Sequence, residues 1–85
     1  MNDIQLKDTV DMMCSNDYKE RFKAEFLQTL IRIEKLEKTI ENYHNLRLEY
    51  EADCPINLLE RQLTAMKDYI LILVKRAVIE GIELE

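Results

Sequence analysis

The stretch "PINLLERQLTAMKDYILILVKRAVIEG", Pro55 to Gly81, decides the fold. It opens on proline, whose missing N–H suits the first turn of a helix. It closes on glycine, the residue that most readily takes the left-handed conformation ending a helix. Between them Ile56, Leu59, Leu63, Met66, Ile70, Leu73 and Ala77 recur in steps of three and four. That is the spacing of one apolar helix face. The pattern predicts a helix over about 55–80, with Asp53 or Cys54 at or near its cap. Ile82 and Leu84 follow and are able to pack back.

The same stretch carries more apolar surface than one seam needs. From Tyr69 to Ile79, Ile70, Leu71, Ile72, Leu73, Val74 and Val78 run nearly all round the helix. A helix apolar on every side is buried on every side. One flank must meet another helix of the chain. The other, Tyr69, Ile72 and Ile79 with Leu58 and Ala65, calls for a second copy. A homo-oligomer, most simply a dimer closing a four-helix bundle, is the expectation.

The helix it pairs with lies upstream. Phe22, Phe26, Leu30, Ile33, Leu36, Ile40 and Tyr43 again step by three and four. The near-seven repeat resembles a coiled-coil seam. Asp17 followed by Glu20 reads as a capping box, with Ser15 or Asn16 as alternative caps. The helix is expected over about 17–44, about 42 Å long at 1.5 Å per residue. The connector, 45–54, alternates apolar and polar at Leu46, Leu48, Tyr50 and Ala52, which reads as an extended strap. Two long helices on a short connector lie antiparallel. Residues 1–15 form a weakly patterned, acidic leader, either an arm or a short helix, and 16–85 form the hairpin. The fold class is therefore all-α, an antiparallel hairpin with coiled-coil-like seams.

Composition narrows the function. The chain has 85 residues, hence one domain, and a formal charge of -5. A single Gly and a single Pro argue against an all-β fold. Two cysteines, Cys14 and Cys54, and one histidine make no disulfide framework and no Cys/His metal cluster. The start "MNDIQLKDTVDMMC" carries acids and lacks the apolar core of a secretion signal. The run "YILILVK" falls far short of the roughly 20 residues a bilayer span needs. A soluble, cytoplasmic protein is expected. Negative charge and the absence of a continuous basic stripe disfavour duplex nucleic acid and membrane surfaces.

No catalytic motif is present. His44 sits at the expected end of the first helix, where an imidazolium suits the helix dipole. Glu41 and His44 echo half of a carboxylate–histidine metal motif, but once only. No enzyme, metal or cofactor is expected.

The segment "NDYKERFKAEF", Asn16 to Phe26, is the candidate binding feature. Lys19, Arg21 and Lys23 occupy the first turns of a helix, where the dipole disfavours cations by about 0.3–1 kcal/mol each. Free N–H groups at a helix start also suit phosphates. Tyr18, Arg21 and Phe22 share one face, and an antiparallel partner helix brings Arg76 alongside. Tyr18, Lys19, Arg21, Phe22 and Arg76 are therefore the candidate ligand residues, able to hold an aromatic base and a phosphate. The plain alternative is core packing for Phe22 and an Arg76 pair with Glu25 or Glu80.

"DYKERFKAEFLQTLIRIEKLEKTI" together with "CPINLLERQLTAMKDYILILVKRAVIEGIEL" resembles short helical proteins of tailed phages and prophages of Gram-positive bacteria. The marks are "YKERFKAE", "CP" before the second helix, the spacing Leu59/Gln62/Met66/Tyr69, and "RAVIEGI". "ILILVKRA" departs from that group in being less charged. No activity carries over, but the setting implies counter-defence. By analogy of size and setting, some such proteins sequester cyclic nucleotide signals between subunits. The expectation is a non-enzymatic binding protein of this kind. The alternative is an adaptor docking a host or phage protein through the second helix.

Overall fold

The computed structural model describes residues 4–46 and 54–84. The described residues are all-helical, with no strand among them. A 3-10 turn over Leu6–Thr9 runs into a short helix α1, Val10–Met13. Helix α2 spans Tyr18–Leu46 and helix α3 spans Ile56–Glu80. The first long helix thus runs past its expected end at His44, through Asn45 and Leu46. Residues 47–53 of the expected extended strap lie outside the described residues.

Helices α2 and α3 pair antiparallel. Tyr18 of α2 meets Arg76 and Glu80 of α3 at one end. At the other end His44 lies 3.2 Å from Glu60. Between them Lys67 bonds Glu37 at 2.8 Å, and the Tyr69 hydroxyl bonds Glu25. These exposed contacts align the helices more than they stabilise them. Stability comes from the seam, where Phe22, Leu73, Ala77 and Ile82 form a buried cluster with Phe26 and Leu84 packed against it.

Both ends of α3 have a local cause. Pro55 stands at the N-cap, one residue before the helix, rather than in its first turn. Its carbonyl accepts from the N–H groups of Leu58 and Leu59 at 3.0 and 3.3 Å. At the other end Gly81 adopts φ 70° and ψ 36°. The Ile82 N–H then reaches back to the Ala77 carbonyl at 2.9 Å, and its side chain closes the buried cluster.

The start of α2 differs from a reciprocal capping box. Asp17 does cap, its carboxylate accepting the Lys19 N–H at 3.0 Å. The Asp17 N–H, which a box would give to Glu20, goes to the Ser15 hydroxyl at 3.0 Å. Ser15 and Asp17 thus cap in series. The reason is the sharp turn after α1, which places Ser15 closer than the outward-facing Glu20.

The leader is a short helix docked on its own chain. The turn and α1 both pack against α2. Thr9, completely buried, satisfies its hydroxyl by donating to the Leu6 carbonyl at 2.7 Å. Helix α2 consequently buries a second face: Ala24, Leu27 and Ile31 are buried although they lie opposite the Phe22–Ile33–Ile40 seam. That second face does not follow the seam's spacing.

Leu73 is fully enclosed, so Leu73→Ala should lower unfolding free energy by about 2–5 kcal/mol in urea titrations followed by circular dichroism. Gly81→Ala should cost about 1 kcal/mol in the same assay. A Cβ there meets no atom, so the cost is the left-handed backbone alone.

Candidate functional site

The N-terminus of α2 and the C-terminus of α3 lie side by side. Opposite dipole ends therefore meet, a partial positive against a partial negative charge. Arg76 in the last turns of α3 suits the negative end of its own helix. Glu80, badly placed for the dipole of α3, is close to the positive end of α2. The antiparallel hairpin resolves what looks unfavourable in each helix alone.

A compact cluster results. The Tyr18 hydroxyl donates to Glu80 Oε1 at 2.7 Å. Arg76 Nη2 donates to the same hydroxyl at 3.0 Å, and its Nε donates to Glu80 Oε2 at 3.2 Å. The Arg76 guanidinium carbon stands 4.9 Å from the centroid of the Phe22 ring, in cation–π range. Tyr18 meets Phe22 edge to face, with centroids 6.2 Å apart. Phe22 is buried and rigid; Tyr18 and Arg76 remain exposed.

The structure thus brings together three of the five candidate ligand residues: Tyr18, Phe22 and Arg76. It does not bring in the other two. Arg21 turns back along the chain and donates from Nη1 to the Ser15 carbonyl at 2.8 Å. This bond answers the unfavourable position of a cation in a first helical turn. Lys19 is exposed and enters none of the cluster's contacts. Phe22 belongs both to the buried cluster with Leu73 and Ala77 and to the site, where Arg76 lies over its ring.

Glu80, absent from the candidate ligand residues, is one of the partners that the plain alternative gives Arg76, and that alternative's core placement of Phe22 is also what the structure shows. The signal for Glu80 is its place four residues after Arg76 on one helix face. Accepting the Tyr18 hydrogen bond, and secondarily facing Arg76, Glu80 is held below its ordinary pKa of 4.5 against partial desolvation. The Tyr18 hydroxyl is raised above 10.0, chiefly by donating to Glu80. Arg76 is raised as well, first by its hydrogen bond to Glu80, and stays charged.

Arg76 is not saturated by these partners. A guanidinium carries five N–H donors in a planar fork. Two are used within the cluster, by Tyr18 and Glu80. The rest are available to an incoming acceptor at the edge of a plane already fixed over Phe22.

The expected oligomer-contact residues Leu58, Ala65, Tyr69, Ile72 and Ile79 are all exposed on α3. Tyr69 also has an intrachain role through Glu25. Shallow clefts lie elsewhere, one of about 430 Å³ between Ile4, Gln5, Ile31 and Lys38, and an apolar one of about 400 Å³ between Val78 and Leu84. Neither includes the Tyr18–Arg76 cluster, which is a surface cluster of matched chemistry rather than a cavity. Both cysteines are free. Among the described residues no acid, Cys and His side chains group as a metal site, and no helix is long and apolar enough to cross a membrane.

A protein-family model described as Sequestin matches residues 16–79. The match covers nearly all of α2 and α3, and with them Tyr18, Phe22 and Arg76. No curated protein and no solved structure matches the chain.

The shifted pKa values set a pH dependence. A carboxyl lowered on folding stabilises above its unfolded value, here 4.5, and that contribution is lost as pH falls through the folded value. Thermal midpoints should therefore drop less steeply below pH 4.5 in Glu80→Gln than in the unsubstituted protein.

Proposed function

The chain belongs to the Sequestin family, and from that premise we propose that it is a non-enzymatic binding protein that sequesters an anionic nucleotide signal at a subunit junction. The carrying observation is the Arg76 guanidinium, its carbon 4.9 Å from the Phe22 ring centroid and its Nη2 bonded to Tyr18, with donors to spare. A phosphate takes the free edge of the guanidinium through charge-assisted hydrogen bonds. A base lies against the exposed Tyr18 ring. The family name, which denotes sequestration, favours holding over turnover.

Glu80 tempers this site by charge. Its carboxylate beside Arg76 repels an incoming phosphate, which takes the guanidinium donors that Glu80 leaves free. The setting that fits is counter-defence in the cytoplasm of a host cell. An infecting element gains there from removing a nucleotide messenger rather than from hydrolysing it slowly.

A second reading is favoured by the exposed apolar surface of α3. There the protein is an adaptor that docks a host or phage protein, and the Tyr18–Arg76 cluster is only a clasp between helices.

Isothermal calorimetry with a panel of cyclic and linear nucleotides separates them. Sequestration predicts saturable heat with at least one nucleotide. Arg76→Glu and Tyr18→Ala should weaken it more than tenfold, and Glu80→Gln should strengthen it. Arg21→Glu should bind as the unsubstituted protein does, because Arg21 is turned to Ser15. No heat with any nucleotide, together with a stoichiometric protein captured from infected cells, would overturn sequestration in favour of the adaptor.

A further inference from the structure

Helix α3 exposes Leu71, Ile72, Val78 and Ile79 at 57%, 55%, 78% and 83% of their full surface. These four are not scattered. Seven residues make close to two turns, so Leu71 and Val78 form one row and Ile72 and Ile79 another. Asp68 and Lys75, also seven apart, stand on the line between the rows. The face is opposite the buried Leu73 and Ala77, so no described part of the hairpin covers it. Asp68 and Lys75 are separated along the axis by about 10.5 Å, too far to pair with each other. Neither has an ion pair among the described residues.

We propose that this face is covered by a second copy of the same chain, with the two α3 helices antiparallel about a twofold axis between Leu71 and Ile72. The surface builds on the subunit junction proposed above but not on its ligand. In a twofold contact, if residue i meets residue j then j meets i. With the axis at that point, Asp68 faces the partner's Lys75, and Lys75 faces the partner's Asp68. Two ion pairs form that one chain cannot make. Each apolar row meets its own counterpart, Leu71 beside the partner's Leu71 and Ile72 beside the partner's Ile72, because the twofold axis keeps each row on its own side. The antiparallel sense is set by charge. A parallel pair in register sets Asp68 against the partner's Asp68 and Lys75 against the partner's Lys75, which repel. Polar residues within an apolar helix seam specify orientation and register in this way.

The face also lies beside the ligand cluster. Arg76 follows Ile72 by four residues and precedes Ile79 by three. A second copy seated on the Ile72–Ile79 row therefore puts a wall along the open side of the Tyr18–Arg76 cluster. It supplies the enclosure that a single chain lacks.

Sedimentation velocity without nucleotide tests the inference. The unsubstituted protein should sediment at twice the 10.2 kDa chain mass. Asp68→Lys and Lys75→Asp should each weaken the dimer at least tenfold, by setting like charges opposite each other. The double variant D68K/K75D should restore it. Val78→Glu should dissociate the dimer by placing a carboxylate in the apolar row, a second test independent of the charge reversals. All three positions are exposed, and circular dichroism verifies that helix content is kept. A monomeric unsubstituted protein overturns the inference. So does a dimer indifferent to the single charge reversals, or one not restored by the double reversal. A monomer that still binds nucleotide overturns this interface and leaves the ligand reading standing; a charge-dependent dimer that binds none does the reverse.

Discussion

Everything in this molecule depends on the closure of one end of a helical hairpin. Leu73 and Ala77 bury against Phe22, and Ile82 folds over them after the Gly81 turn. A chain of this size buries only about two thirds of the surface its unfolded form exposes. It has no disulfide to make up the difference. The apolar cluster is therefore what brings the start of α2 beside the end of α3. The Tyr18–Arg76–Glu80 contacts come with it. They are exposed, so they add direction rather than much stability.

That arrangement ties fold to function through Phe22. One ring serves two purposes: it packs in the buried cluster, and the Arg76 guanidinium lies over it. A side chain anchored in the core is a fixed platform, and it holds the Arg76 guanidinium in one place beside Tyr18. The antiparallel pairing of dipoles lets Arg76 and Glu80 both sit well at a place where each helix alone suits only one of them. The leader adds to this rigidity from behind. By covering Ala24, Leu27 and Ile31, it leaves α2 held on two sides while α3 is held on one. The asymmetry explains why the open apolar rows belong to α3.

Much of this is legible in the residues. The three-and-four spacing in both long segments marks helices, and the Phe22, Ile33, Ile40, Leu73 and Ala77 positions are buried as that spacing implies. Gly81 marks the end of α3 because few other residues take its conformation cheaply. Of the extra apolar residues between Tyr69 and Ile79, Leu71, Ile72, Val74 and Val78 are exposed in the single chain. The binding candidates divide. Tyr18, Phe22 and Arg76 converge, while Lys19 and Arg21 do not. Composition ranks a cation by its charge, but its direction is decided by which acceptor lies within reach of a long side chain. For Arg21 that acceptor is the Ser15 carbonyl.

The sequence by itself determined the helices, their antiparallel pairing and the end of α3, because periodicity, proline and glycine act locally. Only the tertiary structure decided where the leader docks, that Ser15 rather than Glu20 completes the cap, and that Tyr18 joins Glu80 rather than leaving Arg76 to pair with Glu25. Those outcomes depend on which groups meet across a turn or between two helices, sixty-two residues apart in the case of Tyr18 and Glu80. A one-dimensional pattern holds no record of such distances until burial of Leu73 and Ala77 against Phe22 brings the two ends of the hairpin together.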